Sequence, residues 1–157
     1  MQNPPKMPNL QIRAMKMTDL DRVLELASDS FADPWSRNNF AHEILRNNYS
    51  FSHVVLNNGE IIGYSVCWYF DLEAHLANFA VDRRYRRQNV GSYLLGYIIS
   101  DILQKNICDI YLEVRAENRA ARSLYLKHGF QEDGVRKNYY SHVNDDAILM
   151  SLSLQER

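Results

Sequence analysis

Glu113, in Leu112-Glu113-Val114-Arg115, and Tyr125, in Leu124-Tyr125, are of residue types that could do acid–base chemistry. A carboxylate can take a proton from an attacking nucleophile and a phenol can give one to a leaving group, if both reach the same atoms. Upstream, Arg86-Arg87-Gln88-Asn89-Val90-Gly91-Ser92 places arginines and a small-residue turn directly before a helical pattern. Such a loop aims unpaired backbone N–H groups and the positive helix end at one point, which suits a phosphate or pyrophosphate. Arginines add charge-assisted contacts to further phosphates. Plainer readings stand beside each of these. Glu113 fits a solvent-facing partner of Arg115, Tyr125 a core aromatic with a bonded hydroxyl, and the loop a solvated basic turn.

The elements that must position these residues follow from periodicity. Leu10 to Ala14 alternates and reads as a first strand. Thr18 with Asp21 three residues later is a helix-start pattern, followed by Leu20, Val23, Leu24, Ala27 and Phe31 at helical spacing. Asp33-Pro34-Trp35 stops that helix, and Ser36 caps a second one with Phe40, Ile44 and Leu45 on one side. Tyr49–Leu56 and Ile61–Phe70 are strands joined by Asn57-Asn58-Gly59-Glu60, which is hairpin-turn chemistry. A strand over Ala74–Val81, a helix over Val90–Gln104 and a strand over Ile110–Arg115 come next. A helix from Asn118 to His128 ends at Gly129, and strands over Phe130–Tyr140 and Ala147–Leu154 close the set. The order β-α-α-β-β-β-α-β-α-β-β predicts an α/β fold of the α+β kind: one mixed sheet of about seven strands with flanking helices. On the strand that carries it, Glu113 shares a face with Tyr111 and Arg115, opposite Ile110, Leu112 and Val114.

Composition narrows the function. The chain has 157 residues, 46% of them hydrophobic, which is enough for one core and no second domain. With 18 Lys and Arg against 19 Asp and Glu it lacks the positive charge of a general nucleic-acid coat or a membrane adhesive. No aromatic RNA-recognition signature supports the basic loop, and its glycine pattern is wrong for a dinucleotide fold. Ile61–Phe70, the longest apolar run, is too short to span a bilayer. Residues 1–9, with Pro4, Pro5 and Pro8, read as a flexible tail without a signal core, so a soluble, cytoplasmic domain over 10–157 is expected. Cys67 and Cys108 are far apart and outside any metal-spaced cluster, and the five histidines show no ligand spacing, so no metal is expected. Each histidine is expected at the surface or an edge.

Beyond the single elements, several segments agree with one family in order and spacing. Arg86, Gly91 and the helix after them resemble the acetyl-CoA pyrophosphate loop of Gcn5-related N-acetyltransferases (GNAT), with Asn89 where that loop has its first glycine. Asn is the non-glycine residue that best tolerates a left-handed backbone. Leu112-Glu113-Val114-Arg115 with Leu124-Tyr125 and Gly129-Phe130 is the more specific match, and is similar to the members that acetylate a ribosomal-protein N-terminal alanine. So are Asp33-Pro34-Trp35-Ser36, Asn78-Phe79-Ala80-Val81-Asp82, Arg136-Lys137-Asn138-Tyr139-Tyr140 and Asp145-Asp146-Ala147-Ile148-Leu149-Met150. The resemblance spans nearly all of Leu10 to Leu154.

That resemblance implies a GNAT-type domain whose central parallel strands splay apart, with acetyl-CoA as co-substrate entering between them. Phe79, Ala80 and Val81 would pair with the pantetheine arm, and one of their N–H groups would polarise the thioester carbonyl. Arg87, Gln88, Asn89, Val90, Gly91 and Ser92 would hold the pyrophosphate, and Asn118 would touch the arm. Glu113 carries over as general base and Tyr125 as general acid. Trp35 and Tyr139 would flank the amine entrance. Asp33, Glu73, Glu132 and Asp133 could offer a basic substrate tail a complementary field. The implied partner is a protein N-terminus, that of a ribosomal protein, with no membrane and no direct nucleic-acid contact. Rival readings are a GNAT acting on other N-termini, lysines or small amines, and a CoA-binding regulatory or RNA-associated module without turnover.

Overall fold

The computed structural model describes residues 9–154. The tail expected over 1–9 therefore lies outside the described residues except for Asn9, whose amide donates to Asn58 Oδ1 at 2.9 Å. Seven strands and four α-helices run in the expected order: β1 (Leu10–Ala14), α1 (Leu20–Ser30), α2 (Arg37–Leu45), β2 (Ser50–Asn57), β3 (Glu60–Phe70), β4 (Glu73–Val81), α3 (Val90–Gln104), β5 (Asp109–Arg115), α4 (Arg119–Lys127), β6 (Gln131–Tyr140) and β7 (Asp145–Ser153). Short 3₁₀ turns precede α1, follow β4 and join β6 to β7.

Local chemistry explains most boundaries. Asn58 and Gly59 both take positive φ, 51° and 84°, the backbone that a two-residue hairpin turn between right-twisted strands requires. The Ser36 hydroxyl accepts the Asn39 N–H and caps α2. Gly129, at φ 96°, ends α4. The expected start of α1 is different. Asp19, not Thr18, closes that turn, accepting the Lys16 N–H while holding a two-pronged ion pair with Arg13 from β1. That two-pronged partner on β1 outweighs the Thr18 pattern. On α2, Leu45 is exposed and Glu43 is buried instead, because Glu43 accepts from Trp68 Nε1 at 2.8 Å and from Asn47.

The sheet order is β1-β2-β3-β4-β5-β7-β6. All neighbours are antiparallel except β4 and β5, which pair in parallel only at Glu73, Ala74 and His75. Beyond His75 the two strands part, leaving the edge of β4 from Leu76 to Val81 without a partner on that side. Helices cover both faces. Val90, Leu94, Leu95, Ile98 and Ile102 of α3 pack with Tyr125 of α4 on Ile110, Leu112 and Val114. On the other face Leu20, Val23, Leu26 and Ala27 of α1 and Phe40 of α2 pack on Val54, Tyr64 and Ala80.

Strand β4 changes phase along its length. Asn78 pairs with Val66 and Leu76 with Cys67, so Ala77 is an extra, bulged residue. Before the bulge Ala74 and Leu76 face α3; after it Phe79 and Val81 do, and Ala80 turns to α1. The bulge kinks β4 at the height where it leaves β5.

Candidate active site

The split between β4 and β5 has a different chemical character on each face. On the α3/α4 face, the turn into α3 has Arg87 at φ 62° and Asn89 at φ 65°, both left-handed. Asn89 thus occupies the backbone region expected of it, in the place of a glycine. Arg87 was not anticipated there, since nothing in its side chain favours that region. Of the four neighbouring arginines, Arg83 pairs with Asp29, Arg84 with Glu60 and Asp82, and Arg86 bonds the Val81 carbonyl and Ser30. These three anchor the loop to the body. Arg87 carries no ion pair among the described residues, while the Gln88 amide donates to the Arg84 carbonyl. Val90 is buried in the core.

Gly91 matters for packing. A Cβ there would sit 3.3 Å from Leu124 Cδ2, 3.7 Å from Val81 Cγ2 and 3.9 Å from Phe79 Cε1. The start of α3 therefore lies tight against β4 and α4. Ser92 is buried, with its hydroxyl 2.8 Å from His128 Nε2, which ties α3 to the end of α4. Only the backbone of Ser92 is left to face the loop. Asn118 caps α4 by accepting the Ala121 N–H, so that oxygen is also engaged. Tyr125 is buried between Phe79 and Phe130, with ring centroids 6.3 and 5.7 Å away. Burial pushes its phenol pKa well up, so it stays protonated.

The α1/α2 face is built from side chains. Glu113 lies there, as the alternation along β5 predicts, and its Oε2 is 2.6 Å from His75 Nε2. That bond holds the carboxyl below its ordinary range, although partial burial opposes it. His75 meets the Trp68 ring edge-on at 5.5 Å, and Trp68 stacks on Trp35 at 6.2 Å. Trp35 also packs against Phe40, which makes it part of the wall behind the site. A cavity of about 740 Å³ opens here, with Glu113, His75, Trp68, Tyr111, Glu73, Asp133 and Arg136 in its lining. Tyr139 is exposed, under the Arg136 guanidinium 4.9 Å from its ring centroid. Tyr140 is pushed up to about 12, by burial first and by Tyr139 and Glu113 after it.

Glu113 and Tyr125 thus lie on opposite faces of the sheet, beside the split between β4 and β5. Two of the five histidines also prove to have side-chain partners, His75 with Glu113 and His128 with Ser92, where surface or edge positions were expected. Their partners are distant in sequence, so spacing alone could not reveal them. Among the described residues no group of three or more His, Cys, Asp or Glu is placed to hold a metal, and no helix is long and apolar enough to cross a membrane.

Comparison with known proteins agrees with this geometry. The acetyltransferase (GNAT) family profile matches residues 20–130. The [ribosomal protein bS18]-alanine N-acetyltransferase of Escherichia coli K12 is 34% identical over 145 residues, covering 91% of this chain and 97% of its own. The protein of the same name from Haemophilus influenzae is 33% identical over 149 residues, covering 91% and 98%. The crystal structure of the ribosomal-protein-S18-alanine N-acetyltransferase from Escherichia coli superposes with a TM-score of 0.86 at 32% identity, covering 94% of this chain and 96% of that one. With the split sheet, the left-handed loop before α3 and matches of this extent, the chain belongs to the GNAT acetyltransferase family.

Proposed function

We propose that this protein transfers the acetyl group of acetyl-CoA to the N-terminal α-amino group of a protein, with the N-terminal alanine of ribosomal protein bS18 as its acceptor. The observation that carries this reading is the parting of β4 and β5, with a carboxylate on one face of the opening and a buried phenol on the other. Relatives named for that activity, at 33–34% identity over nearly their whole length, support the acceptor.

The cofactor would lie along the free edge of β4, whose unpaired backbone groups suit the amides of a pantetheine arm. Its pyrophosphate would meet the backbone N–H groups from Gln88 to Ser92 at the start of α3, with Arg87 at hand. An N–H of the Phe79–Val81 stretch would polarise the thioester carbonyl. The acceptor ammonium, approaching from the cavity, would give up a proton to Glu113, which frees the lone pair that forms the new C–N bond. An α-amine of pKa about 7.7–8.0 costs on the order of 1 kcal/mol to deprotonate at pH 7, against roughly 4.6 for a lysine near 10.4. A carboxylate held below its usual range is a weak base, so the modest demand of an α-amine suits it. Departing CoA sulfur would accept a hydrogen bond from Tyr125. A thiol near 8.5 is already a better acid than an ordinary tyrosine, and burial of Tyr125 widens the gap, so Tyr125 serves the departing sulfur as a hydrogen-bond donor while full transfer of its proton is uphill.

Charge on the cavity supports a basic acceptor chain. Glu73 and Asp133 line it, whereas Glu132 is taken by Arg122, and Asp33 lies outside the lining. Steady-state CoA release with alanine-starting peptides is the test. Basic peptides should react faster than acidic ones, with a preference that shrinks as salt rises. Equal rates at low ionic strength would remove the steering by Glu73 and Asp133. No turnover with any N-terminal peptide would remove the function.

A further inference from the structure

We propose that His75 is a positioning residue for acetyl transfer, donating its Nε2–H to Glu113 so that the ionised carboxylate turns its second oxygen to the acceptor amine. The inference rests on the function proposed above, with Glu113 as base. His75 is the last β4 residue paired with β5, opposite Tyr111, and Glu113 lies just beyond Tyr111 on the same face. The 2.6 Å contact therefore bridges the root of the split, where the strands first separate.

The ring is itself held from behind. Its edge contact with Trp68 is backed by the stack of Trp68 on Trp35, and Trp68 Nε1–H is fixed by Glu43 of α2. A surface ion pair between adjacent strands has no need of such a scaffold, and one so placed would be free to reorient. Here one carboxylate oxygen is occupied by a donor that three other side chains keep in place. The remaining oxygen keeps its lone pairs for the incoming amine, which is the geometry a general base requires.

Bonds and protons balance. The acceptor ammonium gives one proton to the free oxygen of Glu113, which frees the lone pair that forms the C–N bond; as the C–S bond breaks, a second proton leaves the nitrogen for the departing thiolate, His75 keeps its own proton throughout, and Glu113 returns the first proton to solvent after product leaves. Other groups facing the pair are Glu73 and Tyr111 along the strands, Asp133, Arg136 and Tyr140 of β6, and Glu43 behind Trp68. Among the charged groups facing it, the His75 hydrogen bond is the strongest influence keeping Glu113 ionised.

The test uses the full chain, acetyl-CoA and an alanine-starting basic peptide. His75→Ala should lower kcat at pH 7 by tenfold or more while leaving the KM for acetyl-CoA unchanged. The acidic limb of its kcat profile should move to higher pH, because loss of a bond to the charged form raises the Glu113 pKa. His75→Gln, which keeps an N–H donor of similar reach but cannot titrate, should restore most of the rate and the position of that limb. Parent-like kcat and acidic limb in His75→Ala, with the parent active, would overturn the positioning role and leave the proposed function standing. A His75→Gln protein that folds but is as slow as His75→Ala would also overturn it. If His75→Ala does not fold, His75→Gln against the parent decides alone. An inactive parent would remove the proposed function and this inference with it.

Discussion

On the α3/α4 face of the split, the proposed chemistry falls to backbone: left-handed Asn89, the N–H groups opening α3, and the unpaired edge of β4, with the buried phenol of Tyr125 beside them. On the α1/α2 face it is carried by side chains from four separate elements, with Glu113 held by His75, His75 by Trp68, and Trp68 by Glu43. The contrast has a physical basis. A phosphate or an amide chain is matched by regular backbone groups, which any sequence can present once its φ and ψ are set. A proton-transfer partner needs one oxygen aimed at one atom, and only packed side chains hold that aim. The backbone face should therefore tolerate side-chain changes that keep the turn, while the side-chain face should not.

Substitutions at four positions would sharpen or break this contrast. Glu113→Gln should have the largest effect, lowering kcat at pH 7 by roughly 10²–10⁴ with CoA affinity unchanged. Much of the loss should return as pH rises past the α-amino value of about 7.7–8.0, where solvent supplies neutral amine. Activity equal to the parent at pH 7 would reduce Glu113 to a structural partner of His75. Tyr125→Phe should cost about 10–100-fold in kcat, the worth of one hydrogen bond to a charged group, with no alkaline recovery. A matching recovery would mean that Tyr125 does not serve the leaving sulfur.

Calorimetric titration with CoA tests the backbone face. Asn89→Val should weaken binding by about tenfold, since a β-branched residue resists the left-handed turn by roughly 1–2 kcal/mol. Asn89→Gly should bind as well as the parent or tighter. Equal affinity in all three would detach the loop from the cofactor. The smallest effect concerns the anchor beneath that loop. Bonds from Arg84, and then Arg22, bring Asp82 down to about 2 against the opposing effect of burial. Its folded-state value lies below an unfolded value of about 3.9, so the stabilisation is present above about pH 4 and lost as pH falls toward 2. Because Arg84 is mostly exposed, it should amount to only about 1 kcal/mol, seen as a thermal midpoint that falls less between pH 4 and 2 in Asp82→Asn than in the parent.

Much of this molecule was legible along the chain. Hydrophobic periods with turn and cap signals placed the strands and α-helices within a residue or two, most strictly where one face is buried, as along α3 and β5. Gly59 and Asn58, Ser36 and Gly129 marked their turns and caps because those act within a few residues. The resemblance to a glycine-bearing loop, with Asn as its tolerant replacement, points to the left-handed backbone of Asn89, and the alternation along β5 puts Glu113 on the face opposite Ile110, Leu112 and Val114. What the sequence could not determine depends on residues far apart in it. The bulge at Ala77 rephases β4 through its pairing with β3, and no local pattern announces it. Glu43 is buried for the sake of Trp68, which lies on β3. Above all, the bond between His75 and Glu113 exists because β4 and β5 lie side by side at that height before they part. A family resemblance along the chain can nominate Glu113, but only the register between parallel strands joined through α3 decides which side chain it meets.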